Sequence, residues 1–249
     1  MELKNRLLFE KWSSKFFASV VLIPFMLAGF FILLFVSWLF YPGEYTIITN
    51  AISDLGSRIL NPRGWILFSL AFVFSSITIT PIIINLHERV KNLNLVFSWI
   101  ATCAASLSTV SFLFLAIFPK ELTNLHNIAA LCSFLGLIIG STFYWILMIK
   151  LAIYKIKIRH YKVIINISIV VSMVIITYWS FSGQFIYAYY HGGRLNPLWE
   201  WILLFVICAQ LLIISLLAPE RLVKKYPLIK ILPKSKRSGF LVKLYYFGK

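Results

Sequence analysis

Two side chains suited to proton transfer, Asp54 and His126, flank apolar segments of this 249-residue sequence. Asp54 is the only aspartate and follows the first apolar segment, while His126 opens the fourth. A carboxylate hydrogen-bonded to an imidazole fixes its tautomer and suits general-base chemistry. We therefore expect Asp54 and His126 to lie within hydrogen-bonding or single-water reach, and they are the candidate catalytic residues.

Further polar residues near the same segments extend this pair to a candidate ligand site. Arginine holds phosphate through paired hydrogen bonds, so a lipid headgroup is one ligand that the set suits. The candidate ligand-binding residues are Asn50, Ser53, Asp54, Arg58, His126, His191, Arg194 and Glu200. A structural interpretation of Asp54 stays open, because aspartate commonly caps helices and Arg58 stands one turn further on.

The cysteines and histidines do not have the spacing of a metal or cofactor site. Cys103, Cys132 and Cys208 stand in separate apolar segments without paired spacing, which argues against a zinc site and a disulfide framework. His126 and His191 are two isolated residues and make a poor case for haem ligation. We expect no metal and no cofactor.

The elements that must position these residues are membrane helices. The chain is 60% hydrophobic and 13% charged, whereas soluble domains are about 45–50% apolar and about 25% charged. Six segments without Asp, Glu, Lys or Arg have the roughly 20 residues that a helix needs to cross a bilayer. The sequence predicts an all-α polytopic bundle, residues 1–219, with spans at about 17–40, 64–86, 94–118, 125–149, 163–187 and 199–218.

The positive charge is distributed unevenly between the two predicted faces. Of 24 Lys and Arg residues, 20 fall in the termini and the loops after spans two and four, and 4 fall in the other loops. By the positive-inside rule, both termini are cytoplasmic and the protein is a multi-pass component of the cell membrane. His87 and Arg89 then belong to a solvated cytoplasmic loop.

The last segment, residues 220–249, is predicted to be a basic cytoplasmic tail at the membrane interface. It carries nine Lys and Arg residues interleaved with aromatic and leucine residues near its end. Such segments are attracted to anionic headgroups by about 1 kcal/mol per cation. We expect membrane lipids as its partners and no nucleic acid, and protein partners or a homo-oligomer stay open.

Two local patterns predict how the helices are connected and packed. The loop at 41–63 has apolar residues spaced by three to five, which indicates a short helix with its apolar side on the bundle. Asn50 or Ser53 would cap it, and Gly56 would allow a left-handed turn. Cys132, Gly136 and Gly140 recur every four residues and predict close approach of another helix.

Several short motifs together resemble a known family. They are Asn50-Ala-Ile-Ser-Asp-Leu-Gly56, Asn61-Pro62, Phe118-Pro119 and His126-Asn-Ile-Ala-Ala130. The pattern resembles the six-span prokaryotic membrane proteins called domain of unknown function 998 and, more distantly, the Frag/DRAM/Sfk family. Some members of the latter act in the lipid remodelling of glycolipid anchors and in plasma-membrane lipid organisation. The resemblance covers all six spans and implies site roles for Asp54 and His126.

The favoured function is a non-catalytic, lipid-binding or envelope-associated membrane component with a polar site on its extracytoplasmic face. An intramembrane lipid-modifying enzyme that uses the Asp54–His126 pair is an alternative, with no identifiable serine or cysteine nucleophile. A small-molecule transporter is less favoured, because ion-coupled carriers usually bury ionisable groups in mid-membrane and these spans have none there.

Overall fold

Six long helices make up most of the described chain. The computed structural model describes residues 16–156, 160–190 and 196–219. The helices are α1 Phe17–Leu39, α2 Trp65–Val90, α3 Leu95–Ile117, α4 Thr123–Ile156, α5 His160–Tyr190 and α6 Pro197–Leu217. All six include a stretch long and apolar enough to cross a membrane, and these three ranges contain no β-strand. The prediction of an all-α bundle with six spans is confirmed at this level.

The outward faces of the helices are apolar, which is the reverse of a soluble protein. Ile32, Ile77 and Ile128 are all more than half exposed, although they stand in the middle or outer turns of their helices. A helix that is apolar all round needs either a protein interior or a membrane around it. These faces therefore fit contact with lipid.

The closest helix pair, α3 and α4, meets along the predicted stripe of small residues. A Cβ atom added to Gly136 would lie 2.6 Å from the Ala104 carbonyl oxygen, and one added to Gly140 would lie 3.1 Å from that of Ala101. Ser108 also donates to the Ser133 carbonyl oxygen across this interface, at 2.7 Å. Such contacts require small residues in membrane helices, so the packing prediction is confirmed.

The described chain begins and ends at the same end of the bundle, as an even number of spans requires. The hydroxyl groups of Ser19 in α1 and Ser215 in α6 are 2.8 Å apart. We call this the Arg89 end, and the opposite end, which carries the connections at 40–64 and 118–122, the Asp54 end.

At the Arg89 end, α2 continues beyond its predicted limit and carries Arg89 into the protein. Arg89 is 1% exposed and donates to the carbonyl oxygens of Ser215, Ala218 and Pro219, at 2.6, 2.6 and 2.9 Å. The last carbonyl groups of a helix have no partner within it, and a cation there suits the helix dipole. The expectation that Arg89 lies in a solvated loop is wrong.

His87 is also buried, contrary to expectation. Its Nδ1 lies 2.9 Å from the Ser98 hydroxyl and 3.0 Å from that of Thr102, and its ring packs against Trp99 of α3. The extra turn of α2 places this imidazole against the first turns of α3, where these side chains satisfy it.

Candidate functional site

The Asp54 end is organised around a buried asparagine. Asn61 is fully buried, and its Nδ2 donates to the carbonyl oxygen and hydroxyl of Ser37 and to the carbonyl oxygen of Leu55, each at 3.1 Å. Its Oδ1 accepts from the Gly64 backbone N–H, also at 3.1 Å. One amide group thus joins the end of α1, the loop and the start of α2, which gives the Asn61-Pro62 motif a physical role.

A single 3₁₀ turn, Ile52–Gly56, replaces the predicted surface helix. Ile52 and Leu55 are buried in the bundle, whereas Ile48 and Ile59 are well exposed, so the apolar side is only partly turned inwards. Gly56 does not adopt the predicted left-handed conformation. It is required by close approach instead, because a Cβ there would overlap the ring of Phe68.

The Asp54 carboxylate is 7% exposed and holds two parts of the chain together. Its Oδ2 accepts from the Ala51 backbone N–H at 2.9 Å, and its Oδ1 forms an ion pair with Lys120 in the α3–α4 connection. The first contact supports the structural interpretation of Asp54 at a helix start. Asp54 and His126 are not directly hydrogen-bonded, and Asp54 pairs with Lys120 in place of Arg58.

Glu121 makes a second link between the same two connections. Its Oε1 accepts from the Ser57 hydroxyl at 2.5 Å and from the Ile59 backbone N–H at 3.1 Å. Partial burial alone would raise the pKa of this carboxyl, but the hydrogen bonds from Ser57 and Ile59 favour the ionised form and hold the pKa below its usual 4.5. In its ionised form, Glu121 therefore joins the α3–α4 connection to the connection at 40–64.

His126 is 3% exposed and stands in the first turn of α4. Its Nδ1 lies 2.8 Å from the Phe118 carbonyl oxygen. Since a carbonyl oxygen only accepts, Nδ1 carries the hydrogen, and the neutral ring presents Nε2 as an acceptor. No residue within the described ranges is hydrogen-bonded to Nε2.

Glu200 enters the site from the first turn of α6. This helix begins as predicted at Pro197, and the Asn196 side chain caps it by accepting from the Leu198 backbone N–H at 2.9 Å. Glu200 Oε2 accepts from the Ile52 backbone N–H at 3.2 Å. The contact joins α6 to the 3₁₀ turn and leaves Oε1 without a hydrogen-bond partner among the described residues.

Aromatic side chains close the site on the side of α1. Tyr45 is buried and donates its hydroxyl to the Ala51 carbonyl oxygen at 2.8 Å. Burial, followed by the nearby Glu200 carboxyl, raises the pKa of Tyr45, so its phenol stays protonated as this donor. The indole of Trp201 donates to the Asn50 carbonyl oxygen at 3.3 Å and packs edge-on against Tyr45.

Ser53, His126 and Glu200 line one cavity at the Asp54 end. It has a volume of about 40 Å³, and its remaining walls are mainly apolar side chains of α2, α3, α4 and α6. A cavity of this size admits water or a small polar group. Three of the eight candidate ligand-binding residues thus share a cavity, and two of them bring hydrogen-bonding atoms that the described chain leaves unused.

A second, deeper cavity of about 70 Å³ lies among the same helices and α1. Phe112, Leu137, Leu204 and Ile207 line both cavities, so the two are neighbours along the bundle. The deeper one is almost wholly apolar, apart from a few groups such as Ser75, whose buried hydroxyl has no partner in the described chain.

The other candidate residues that the structure describes do not line the cavity. Asn50 accepts from the Thr46 backbone N–H at 3.1 Å and closes a turn. Arg58 is exposed, with its guanidinium 4.4 Å from the ring centre of Trp65. His191 and Arg194 lie outside the described residues, as does the 220–249 tail. Within the described ranges, no group of three or more His, Cys, Asp and Glu residues is arranged to hold a metal ion.

Sequence analysis missed Lys120 and Glu121 as partners of the loop. The available signal was their position, since these two charges stand directly after Phe118-Pro119 in a connection too short to extend into water. Adjacent residues of opposite charge at such a place face the polar groups of the neighbouring loop.

The fold and the site together indicate a multi-pass membrane protein with a mainly apolar cavity, lined also by Ser53, His126 and Glu200, near one end of its helices. In comparisons with known proteins, no family model, no curated protein and no solved structure matches this chain.

Proposed function

We propose that this protein is a non-catalytic component of the cell membrane that binds a lipid at its Asp54 end. The observation that carries the proposal is the shared cavity of Ser53, His126 and Glu200, which puts polar groups with unused hydrogen-bonding atoms above apolar walls. Polar groups at one end of an apolar site are typical of a pocket for an amphiphile.

Asp54 has a structural role in this proposal. Both of its carboxylate oxygens have partners, Lys120 and the Ala51 backbone N–H, and neither partner is a catalytic group. A general base needs to reach the proton that it abstracts. The contacts of Asp54 therefore favour binding over the alternative of an enzyme with an Asp–His pair.

The orientation proposed from the charge distribution places the cavity on the extracytoplasmic side. The Arg89 end, with both termini and the basic tail, then faces the cytoplasm and its anionic headgroups. A cysteine engineered at Glu44 in the 40–64 connection, combined with one in the tail, tests this with a membrane-impermeant maleimide. Labelling of the tail in intact cells would contradict the orientation.

The binding proposal is tested by native mass spectrometry of the full-length protein after gentle detergent exchange. We expect a retained lipid on the wild type and its loss from Ala130→Phe, which fills the cavity. Ile128→Phe on the exposed face of the same helix is the matched control and should keep the lipid. Equal lipid retention by both variants would overturn the proposal, and lipidomics of a deletion strain should identify the accumulating species.

A further inference from the structure

Two polar atoms of residues that line the cavity at the Asp54 end are unused within the described chain. His126 Nε2 is an acceptor because Nδ1 donates to the Phe118 carbonyl oxygen, and Glu200 Oε1 is a carboxyl oxygen that accepts when the group is ionised. A ligand that satisfies both atoms must bring donors. Hydroxyl and amino groups can donate to these two atoms, whereas the oxygens of an ionised phosphate can only accept.

Two of the described cations at this end are engaged elsewhere, which also disfavours a phosphate. Lys120 is paired with Asp54, and the guanidinium of Arg58 lies over Trp65 on the surface. Among the described residues, no Lys or Arg lines either cavity. A buried phosphate would therefore lack the charge-assisted partners that such groups require.

The deeper cavity provides room for the apolar part of the same ligand. Phe112, Leu137, Leu204 and Ile207 line both cavities, so the two adjoin each other between α2, α3, α4 and α6. Its volume of about 70 Å³ is below the roughly 150 Å³ of a cavity that takes benzene. That size admits the end of one narrow chain and not two chains side by side.

We propose that the ligand is a single-chain amphiphile with a hydroxyl or amino headgroup, which donates to His126 and Glu200 while its chain enters the deeper cavity. This inference rests on the proposed lipid-binding function and specifies its ligand class. Ser75, whose hydroxyl lacks a partner in the wall of the deeper cavity, lies on the path of the chain and suits an amphiphile with one polar group along it.

The test measures binding of defined lipids to the full-length protein in phosphatidylcholine nanodiscs. The probes share a 16-carbon chain and are hexadecylamine, monopalmitoylglycerol and hexadecyl phosphate, with dipalmitoyl phosphatidylethanolamine as a two-chain amine. We expect saturable binding of the first two at least tenfold tighter than that of hexadecyl phosphate or of the two-chain lipid. Glu200→Gln should weaken the binding of hexadecylamine about tenfold, because the amine then meets a neutral amide that cannot ionise in place of the carboxyl group.

A second pair of variants tests the deeper cavity separately from the headgroup. Leu211→Trp reduces the deeper cavity, and Leu216→Trp adds the same bulk to an exposed position of the same helix. Leu211→Trp should weaken the binding of hexadecylamine about tenfold, while Leu216→Trp should leave it unchanged.

The outcomes distinguish this inference from the function on which it rests. Saturable binding of none of the lipids would overturn both. Tighter binding of hexadecyl phosphate or of the two-chain lipid, or equal binding of hexadecylamine by both tryptophan variants, would overturn only the inference and leave lipid binding in place.

Discussion

Lys120 and Asp54 form an ion pair that joins the α3–α4 connection to the 3₁₀ turn between α1 and α2. The connection that carries Lys120 also supplies the Phe118 carbonyl oxygen that orients His126. The three residues from 118 to 120 therefore link the two side chains that sequence analysis expected within hydrogen-bonding or single-water reach. Asp54 and His126 both contact this connection and make no direct hydrogen bond to each other.

The first prediction concerns the Asp54–Lys120 pair. Asp54→Asn keeps an oxygen for the Ala51 backbone N–H and loses the charge, whereas Asp54→Ala loses both contacts. We expect the free energy of unfolding to fall by about 1 kcal/mol for Asp54→Asn, since Lys120 is partly exposed, and by about twice that for Asp54→Ala.

A double-mutant cycle with Lys120→Met separates the ion pair from the other effects of substitution. The single variants Asp54→Asn and Lys120→Met should be non-additive, with the double variant little worse than either alone. Denaturant titration in mixed micelles measures this. Strict additivity would show that the pair does not stabilise the protein.

The second prediction concerns Asn61. Asn61→Ala leaves the Ser37 and Leu55 carbonyl oxygens without this donor, and we expect a loss of about 2–3 kcal/mol. Asn61→Asp should be worse, because a buried carboxylate would face the same two acceptors. Asn50→Ala, at a partly exposed turn of the same loop, is the control and should cost less than about 1 kcal/mol. A small effect of Asn61→Asp would contradict this role.

The helices and their close packing could be predicted from the sequence because they depend on local patterns. Apolar length alone predicts the six spans. Spacing by four predicts that Gly136 and Gly140 face a neighbouring helix, as they do. In both cases, the property belongs to a short stretch of chain and needs no knowledge of which residues lie opposite.

The partners of the site residues could not be predicted, because they depend on how the connections meet in three dimensions. Asp54 had Arg58, His126 and Lys120 as neighbours of suitable charge or polarity, and only the structure shows that it takes Lys120. The continuation of α2 through His87 and Arg89 could not be predicted either, since basic residues at the end of a span resemble a solvated loop. Their burial depends on hydrogen-bonding partners in α3 and α6.

The third prediction compares two glycines of α4 that α3 approaches to different distances. The added Cβ of Gly136→Ala meets the Ala104 carbonyl oxygen at 2.6 Å, and that of Gly140→Ala meets the Ala101 carbonyl oxygen at 3.1 Å. Overpacking costs about 1–3 kcal/mol, while Ala gains up to about 1 kcal/mol in helix propensity. We expect Gly136→Ala to lose about 2 kcal/mol and Gly140→Ala to be near neutral in thermal unfolding. The reverse order would contradict the packing.

The fourth prediction is the pH dependence of the Glu121 contact. Because the pKa of Glu121 is lowered in the folded protein, its contribution to stability is fully present above about 4.5. That contribution is lost as the pH falls through the lowered folded value. The stability difference between wild type and Glu121→Gln should therefore be constant near neutral pH and shrink in acid below 4.5. A difference that grows in acid would have the wrong sign.

The last prediction concerns Arg89 at the opposite end. Arg89 is almost fully buried and satisfies carbonyl oxygens of Ser215, Ala218 and Pro219 at the end of α6. Lysine keeps the charge but has a single compact donor group, which cannot reproduce the planar fork of the guanidinium. Arg89→Lys should therefore lose about 2–4 kcal/mol of stability, and Arg89→Met, which removes the donors altogether, should lose at least as much.

Arg63→Lys, at an exposed arginine, is the matched control and should change stability by less than about 0.5 kcal/mol. Maleimide labelling of a cysteine placed at Leu217 should become faster in Arg89→Lys, because the last turn of α6 loses its partner. Unchanged stability and labelling in Arg89→Lys would show that the charge alone, and not the geometry of the guanidinium, holds this end of the helix.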